Sequence, residues 1–288
     1  MDFAVVVIVE ILHAIAVLVL ISAGLAVIFG MMRVINLAHG EFLTLGGYVA
    51  IVGHQQGLNL WLCMLVLAPL VVGLWGLIVE RLIVRWLYGR LINTMLATWG
   101  LSLAMTGAFS MIFGNTTTGI PNPLSGITVG GYQISGYSLF LVTAAVIVLA
   151  AIYAVLKLTR AGLIARGTMQ RPDMAQAFGL NTSVVYMATF TIGAALSGLA
   201  GALIAPLVGL SPGSGANYIA KAFITVISGG ASVVTGVITS AGLFGTIAQV
   251  FTLATSSVGG EIALLVTAVV LLRLMPSGIT GRFFKGRT

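Results

Sequence analysis

The sequence predicts an all-α polytopic membrane protein, with about eight transmembrane helices and one re-entrant or broken helix. Composition is the first reason: 59% of the 288 residues are hydrophobic and only 7% are charged, which is too little charge for the surface of a soluble protein. Run length is the second reason. The apolar runs are continuous over about 20 residues, whereas the strands of a membrane barrel alternate in polarity over roughly 10 residues.

Eight apolar runs are predicted to cross the membrane. They are residues 3–30, 36–52, 60–79, 93–113, 137–156, 184–207, 232–255 and 261–275. Residues 114–136 carry no charge and two prolines, so they are predicted to form a structured loop that suits a short hairpin. Residues 218–228 are apolar but only about half as long as a crossing requires, and two glycines follow. This segment is the predicted re-entrant or broken helix, which a membrane tolerates only beside protein or a cavity.

Orientation follows from the positive charges, most of which fall in three places. They are Arg81, Arg85 and Arg90; Lys157, Arg160, Arg166 and Arg171; and Arg282, Lys285 and Arg287. Because Lys and Arg in short loops favour the cytoplasmic side, all three places are predicted to be cytoplasmic. The C-terminus is then cytoplasmic and the N-terminus outside. This orientation requires residues 218–255 to make no net crossing, either as two spans or as a short re-entrant arm and its return. This topology accounts for the net charge of +7 without a nucleic-acid partner.

One stretch near the start, GLAVIFGMMRVINLAHGEFLTLGGY, interrupts an apolar run with polar side chains. They are Arg33, Asn36, His39 and Glu41. A charge at the centre of a span costs roughly 2.5 to 3.5 kcal/mol, so such groups are retained where they face a protein interior or a water path. A helix continued from Asn36 places Asn36, His39 and Thr44 on one small, polar face.

This face predicts a substrate path. The predicted path residues are Asn36, His39, Thr44 and Lys221. Arg33 and Glu41 flank the face and are predicted to hold the helix by pairing with each other or with neighbours. The alternative for the glycines of this face is a tight helix interface, because small residues let helices approach closely. In the sixth span, Gly193, Ser197 and Gly201 predict the same close packing.

The sequence offers no constellation for catalysis. There is no GxxxxGK[ST] motif, so the chain is not expected to bind ATP itself. The three histidines lack an HExxH pattern, and the single cysteine lies in an apolar run. We therefore predict no catalytic residues, no metal site and no cofactor.

Residues 161–183 form a polar segment between two spans and contain ARGTMQRPDMAQAFGLNTS. A short helix with a basic end and exposed Met174 and Phe178 suits insertion into a groove on a partner protein. The alternative is a solvated loop.

This segment and GMMRVINLAHGEFLTLGGY together resemble the permeases of ABC importers for branched-chain amino acids and urea. Residues 33–41 match the early R-V-I-N-x-A-H-G-E motif of that family throughout. Four residues match its cytoplasmic motif R-A-x-x-x-N-x-x-x-A-x-x-x-G-I: Arg166, Ala175, Gly179 and Leu180. Gly167 and Arg171 depart from that motif. The resemblance covers nearly the whole chain, including the ending RLMPSGITGR.

The resemblance implies a single transmembrane permease domain over residues 1–288 with the ABC importer permease fold. It implies that residues 161–183 couple to an ATPase. The implied coupling residues are Arg166, Arg171, Met174, Ala175, Phe178 and Gly179. The implied partners are two cytoplasmic ATPases that bind ATP, a periplasmic binding protein and a second, related permease. The implied location is the cell inner membrane.

Three functions remain open. The segment RWLYGRLINTMLATWGLSL is similar to the urea branch of the family, so the first expectation is a permease for urea or a short-chain amide. The second is a branched-chain amino acid permease, because Lys221 and Glu41 suit a zwitterion. The third, from another class, is a passive channel or an ion-coupled carrier that works without an ATPase.

Overall fold

The structure is a computed structural model that describes residues 2–129, 131–230 and 232–283. The described residues are mostly helical. The α-helices are α1 Asp2–Met32, α2 His39–Gln55, α3 Leu60–Leu62, α4 Ala68–Leu82, α5 Leu91–Phe113, α6 Gly136–Leu158, α7 Arg160–Gln170, α8 Pro172–Ala177, α9 Thr182–Ile204, α10 Ser214–Gly229, α11 Val233–Ala254, α12 Ser257–Leu274 and α13 Gly278–Phe283. A 3-10 helix, Val84–Leu87, lies between α4 and α5.

Seven helical stretches in the described part of the chain are long and apolar enough to cross a membrane. They are Ala4–Met32, Leu60–Leu82, Leu91–Phe113, Gly136–Leu158, Thr182–Ile204, Val233–Ala254 and Ser257–Gly281. The predicted all-α polytopic membrane class is thereby confirmed. The remaining predicted span corresponds to α2, whose 17 residues are at the short end of what can cross.

The span Leu60–Leu82 is helical throughout, but its backbone hydrogen bonds change from the α-helical to the π-helical pattern over one turn. A π-helical turn, Cys63–Leu67, joins α3 to α4, and Ala68 N donates to Cys63 O. Pro69 follows at the start of α4 and has no N–H to donate. A single π turn at this position keeps the helix continuous into the proline, a common use of π geometry.

The uncharged loop over residues 114–136 contains the hairpin that its sequence suits. Strands β1, Gly126–Val129, and β2, Tyr132–Ser135, pair antiparallel with Gly126 opposite Ser135. Earlier in the loop, Thr118 and Leu210 exchange backbone hydrogen bonds of 2.9 and 2.7 Å. The loop is therefore ordered by backbone pairing although it carries no charge.

The chain forms two compact units. Unit 1 comprises Met1–Ser22, Asn122–Leu149 and Lys221–Thr288, and unit 2 comprises Ala23–Pro121 and Ala150–Ala220. In unit 1, α11 packs against α12 and α13. In unit 2, α9 packs against both α2 and α4. The single domain implied by the resemblance stays a prediction.

Unit 2 has a core built by backbone-to-backbone packing. A Cβ atom on Gly201 would collide with the backbone carbonyl of Leu43, and one on Gly46 with the carbonyl of Gly198. The close packing predicted for Gly193, Ser197 and Gly201 is thus confirmed, because Gly193 likewise lies against α1. The rings of Phe42 and Phe190 meet edge to face beside this seam, with centroids 6.2 Å apart.

The predicted broken helix takes the form of α10. Its 16 residues rise about 24 Å, less than the apolar thickness of a bilayer. It ends at the predicted glycine pair, where Gly230 has φ of +85° and Thr280 Oγ1 donates to Gly229 O at 2.5 Å. The helix begins at Ser214, earlier than the predicted start at residue 218.

Some residues of the predicted basic tail are not described. Lys285 and Arg287 lie outside the described residues, and Arg282 is described only by its backbone. The orientation inferred from the basic clusters stays a prediction.

Candidate functional site

The polar stretch that the sequence singled out forms a buried break between α1 and α2. Residues 33–38 are not helical, and Arg33 has φ of 53°, a left-handed conformation that is uncommon for residues with a side chain. Leu37 N donates to Thr98 Oγ1 of α5 at 3.0 Å, and Ala38 N donates to Asn36 Oδ1 at 3.0 Å. Side chains therefore satisfy backbone groups that a membrane interior would leave unpaired.

The continuous helix predicted from Asn36 is wrong in its starting point. Helix α2 begins at His39, because the Asn36 side chain bonds the backbone two residues ahead and favours a turn. Asn36 is fully buried, and its Nδ2 atom has no hydrogen-bond partner among the described residues. A buried amide donor of this kind is available to a ligand or a water molecule.

His39 and Thr44 are also fully buried, on α2 itself. Ser197 Oγ of α9 donates to Gly193 O at 2.8 Å, so its oxygen accepts from His39 Nδ1 at 3.1 Å. Thr44 Oγ1 donates to Gly40 O of its own helix at 3.1 Å. The fold therefore brings the predicted path residues Asn36, His39 and Thr44 together, with the last two hydrogen-bonded within the protein.

Glu41 faces α5 and not Arg33. Among the described residues, Arg33 and Glu41 form no ion pair with each other, and Arg33 is exposed. Thr106 Oγ1 donates to Glu41 Oε1 at 3.4 Å, and Ser102 lies beside the same carboxyl group. Of the two predicted ways to hold the helix, pairing with each other does not occur. Glu41 instead contacts a neighbouring helix, α5.

Lys221 lies in unit 1, where its ammonium group has a partner that the sequence analysis did not foresee. Lys221 Nζ and Glu261 Oε1 are 2.5 Å apart, with 33% and 61% of the two side chains exposed. An exposed pair of this kind contributes little to stability, but it balances the charge of Lys221 locally.

A cavity of about 710 Å³, which we call the Arg33 cavity, lies within unit 2 beside the break. Its wall joins the break to the predicted coupling segment. The polar and aromatic lining residues are Arg33, Tyr88, Arg90, Thr94, Gln170 and Tyr186. Residues of the predicted coupling segment and of the break therefore line the same cavity.

Tyr88 and Glu80, which the sequence analysis missed, are hydrogen-bonded to each other at the wall of this cavity. Tyr88 Oη donates a short hydrogen bond to Oε1 of Glu80, which is fully buried. Burial, followed by this hydrogen bond, raises the pKa of Tyr88, so the phenol remains a donor at neutral pH. The Tyr186 ring meets Tyr88 at a centroid distance of 5.0 Å. A glutamate in the last turn of an apolar span was the signal available in the sequence.

The predicted coupling segment folds as two short helices. Thr159 caps α7 by accepting from Gly162 N, Pro172 begins α8, and Gly179 follows α8 with φ of +79°. Met174 and Phe178, one turn apart, are 57% and 83% exposed.

The remaining predicted coupling residues differ in exposure. Ala175 is buried, Arg171 is exposed, and Arg166 Nε donates to Gly162 O of its own helix at 3.4 Å. The exposure that docking requires is therefore present at Met174 and Phe178, while docking itself stays a prediction.

A stripe of hydroxyl side chains on α5 also escaped the sequence analysis. Its members are four residues apart: Thr94, Thr98, Ser102, Thr106 and Ser110. Such spacing places them along one side of the helix. Thr94 and Thr98 are buried, and the other three are half-buried. The regular spacing in TMLATWGLSLAMTGAFS was sufficient to find this stripe.

Comparison with known proteins places these features in a family. The sequence model described as the branched-chain amino acid transport system permease component matches residues 7–275. The high-affinity branched-chain amino acid transport system permease protein LivH of Escherichia coli (strain K12) is 27% identical over 280 residues, covering 91% of each chain. The corresponding BraD protein of Pseudomonas aeruginosa is 28% identical over 284 residues, again covering 91% of each chain.

A third relative is similar over most of its length. The probable branched-chain amino acid transport permease protein LivH of Methanocaldococcus jannaschii is 26% identical over 283 residues, covering 92% of this chain and 88% of its own. No solved structure matches the chain. These relatives favour the amino acid alternative, and the urea branch that the sequence analysis put first receives no support from them.

Proposed function

This chain belongs to the family of branched-chain amino acid transport system permease components, and from that premise we propose that it is the permease subunit of an ABC importer for a branched-chain amino acid. The observation that carries the proposal is the family match over residues 7–275, nearly the whole chain. The seven apolar helices support it, because a permease subunit must cross the membrane several times.

The site favours an amino acid over urea. Urea is neutral and requires only hydrogen-bond partners, whereas unit 2 buries the Glu41 carboxyl group with no basic residue paired to it in the described part. A solute with an ammonium group is a better match for such an acid. The segment that resembles the urea branch contributes Tyr88 and Arg90 to the wall of the Arg33 cavity, next to the coupling segment. We therefore assign this segment to coupling and not to recognition of the solute.

We propose that movement of the ATPase subunits is transmitted to the break, residues 33–38. In this proposal, Met174 and Phe178 insert into a groove of a cytoplasmic ATPase subunit, because they are the exposed apolar side chains of α8 and its end. Movement of α7 and α8 then reaches Arg33 across the Arg33 cavity, through Gln170 and the adjacent Pro172. Arg33 is six residues before α2, so a change in its left-handed backbone reorients the start of that helix.

The proposed assembly has the partners that the resemblance implies. Two ATPase subunits bind and hydrolyse ATP, a binding protein delivers the amino acid, and a second, related permease completes the path. The chain itself holds no cofactor in this proposal. It lies in the cell inner membrane with its N-terminus outside and its basic segments in the cytoplasm.

The test is ATPase activity of the co-expressed complex, reconstituted with its binding protein and titrated separately with L-leucine, urea and acetamide. We expect stimulation by leucine. Stimulation by urea or acetamide alone would return the chain to the urea branch. Failure to associate with any ATPase would favour the channel or carrier alternative.

The coupling part of the proposal has its own variant. Replacing both Met174 and Phe178 with alanine is expected to reduce co-purification of the ATPase subunits, because it removes the exposed apolar contacts. Ile112→Ala is the matched control, since Ile112 is 71% exposed on α5, outside the coupling segment. Equal ATPase recovery with both variants would contradict docking through α8.

A further inference from the structure

Glu41 carries one of two buried carboxyl groups among the described residues of unit 2, the other being that of Glu80. The Glu41 side chain is 4% exposed, and its Oε2 atom has no hydrogen-bond partner in the described part of the chain. Burying a carboxylate in a region of low dielectric is unfavourable unless a positive or hydrogen-bonding group satisfies it. Arg33, the nearest basic residue in sequence, is not that partner. The structure therefore leaves a buried acceptor with unused capacity.

This acceptor is directed at the hydroxyl stripe of α5. Thr106 donates to the other oxygen, Oε1, and Ser102 lies one turn before Thr106 beside the same group. The carboxyl group thus faces the boundary between α2 and α5, which we call the α2–α5 seam. Polar atoms line this seam although both helices lie in the membrane region.

An open, apolar cavity of about 320 Å³, which we call the α2 cavity, lies further along the same seam. Its wall includes aliphatic and aromatic side chains of three helices. They are Leu45, Tyr48, Val49 and Val52 of α2, Val71 of α4 and Phe113 of α5. The Tyr48 and Phe113 rings stack in parallel with centroids 4.0 Å apart. The cavity therefore suits a small aliphatic group and not a charged one.

The acid and the cavity are spaced for one ligand. Leu45, at the near end of the cavity wall, is one helical turn from Glu41, a rise of about 6 Å along the axis. An α-amino acid with a branched aliphatic side chain carries its ammonium group and its terminal methyl groups at a similar separation. We propose that the α2–α5 seam binds such an amino acid, with its ammonium group on Glu41 Oε2 and its side chain in the α2 cavity. This inference rests on the proposed function and names the residues that recognise the solute.

The seam is also the side of α2 that is free to open. Helix α2 packs much more extensively against α9 than against α5. Glu41 Oε2 is closed to solvent in this conformation, so solute entry requires α2 and α5 to separate. The route from the Arg33 cavity to the start of α2 provides the motion.

The direct test uses L-photo-leucine, a diazirine analogue of leucine, with the reconstituted importer complex. Illumination followed by peptide mass spectrometry locates the bound side chain. We expect labelling at the wall of the α2 cavity, within residues 45–53 or at Leu67, Val71 or Phe113, suppressed by excess L-leucine and not by urea. Glu41→Gln should reduce both this labelling and leucine uptake by about tenfold or more, because it removes the charge that pairs with the ammonium group.

A second variant addresses the cavity without changing any charge. Val49→Phe fills the α2 cavity and is expected to reduce leucine uptake by a similar factor. The matched controls are Glu10→Gln, at a partly exposed acid of α1, and Val146→Phe, at a valine of α6 that is 61% exposed. Both controls should retain uptake within about twofold. Monodispersity and co-purification with the ATPase subunits confirm that each variant is assembled.

The outcomes separate this inference from the function on which it rests. If the wild-type complex takes up no leucine, the proposed function is wrong. If it takes up leucine while labelling falls outside the wall of the α2 cavity, or while both variants transport normally, the inference alone is overturned. Labelling of the same residues by a diazirine-tailed phospholipid that leucine does not displace would identify a lipid-filled groove and also overturn it.

Discussion

Two sides of α2 differ in how they are packed. The α9 face, which includes Leu43 and Gly46, meets α9 backbone to backbone, with no room for a Cβ atom at Gly46 or Gly201. The α5 face, which includes Glu41, meets hydroxyl side chains and an open cavity. One helix therefore presents a tightly packed surface to one neighbour and a polar, loosely packed surface to another.

This difference assigns separate tasks to the two faces. Glycine-lined contacts between helices maximise van der Waals packing, which is a main source of association where no hydrophobic driving force exists. Such a contact resists separation. A seam with an incompletely paired acid and an adjacent cavity is less well packed and opens at lower cost. We expect α2 to move together with α9 and away from α5 during transport.

The largest effect is expected from Gly201→Leu on the α9 face. The new side chain would collide with the Leu43 backbone, which cannot rotate away. Overpacking of this kind destabilises by about 3 kcal/mol or more, so most of the protein should fail to assemble. The measurement is the monodisperse fraction of detergent-solubilised protein after a temperature series.

The control for this change is Gly107→Leu on α5, where an added Cβ meets nothing described within 4 Å. We expect its thermal profile to follow that of the wild type. If both variants assemble equally well, the α9 face is not the tightly packed one and the comparison fails.

Much of the fold could be predicted from sequence because its signals are local. Continuous apolar runs fixed the class, and the positions of the helices follow those runs closely. Spacing alone predicted the close packing of α9 at Gly193, Ser197 and Gly201, since four-residue intervals place small groups on one side of a helix. The exposure of Met174 and Phe178 followed from their position in a polar segment.

The site was less predictable because its partners are distant in sequence. Thr98 bonds Leu37 across 61 residues, and Thr106 bonds Glu41 across 65. No periodicity near Glu41 reveals which helix it will face, so the sequence predicted only that it pairs with Arg33 or with a neighbour. The break at Asn36 was missed for a related reason: its amide competes with helix formation, a choice that tertiary contacts decide.

An intermediate effect is expected from the contact between Glu41 and Thr106 on the α5 face. Thr106→Val removes the hydroxyl that donates to Oε1 and leaves the carboxyl group with less compensation, so it should destabilise by about 1–2 kcal/mol. In a Glu41→Leu background the same change should have nearly no effect. A double-mutant cycle of thermal stability measures this coupling directly.

Thr143→Val is the control for the cycle. Thr143 lies on α6 and donates only within its own helix, to Leu139 O at 3.0 Å and Phe140 O at 2.7 Å. Its substitution should have the same small effect in both backgrounds. Equal effects of Thr106→Val in the two backgrounds would mean that the hydroxyl does not support the acid, and the polar character of the α5 face would be only local.

The smallest effect is expected from Ser197→Ala on the α9 face. The change removes the acceptor of His39 Nδ1 while leaving the glycine packing intact. Hydrogen bonds between membrane helices contribute about 0.6 kcal/mol on average, so the shift in thermal stability should be small but measurable. Ser110→Ala is matched to it, because Ser110 donates only to Thr106 O of its own helix, and should shift stability less. A loss from Ser197→Ala as large as that from Gly201→Leu would mean that the hydrogen bond, and not backbone packing, holds the α9 face together.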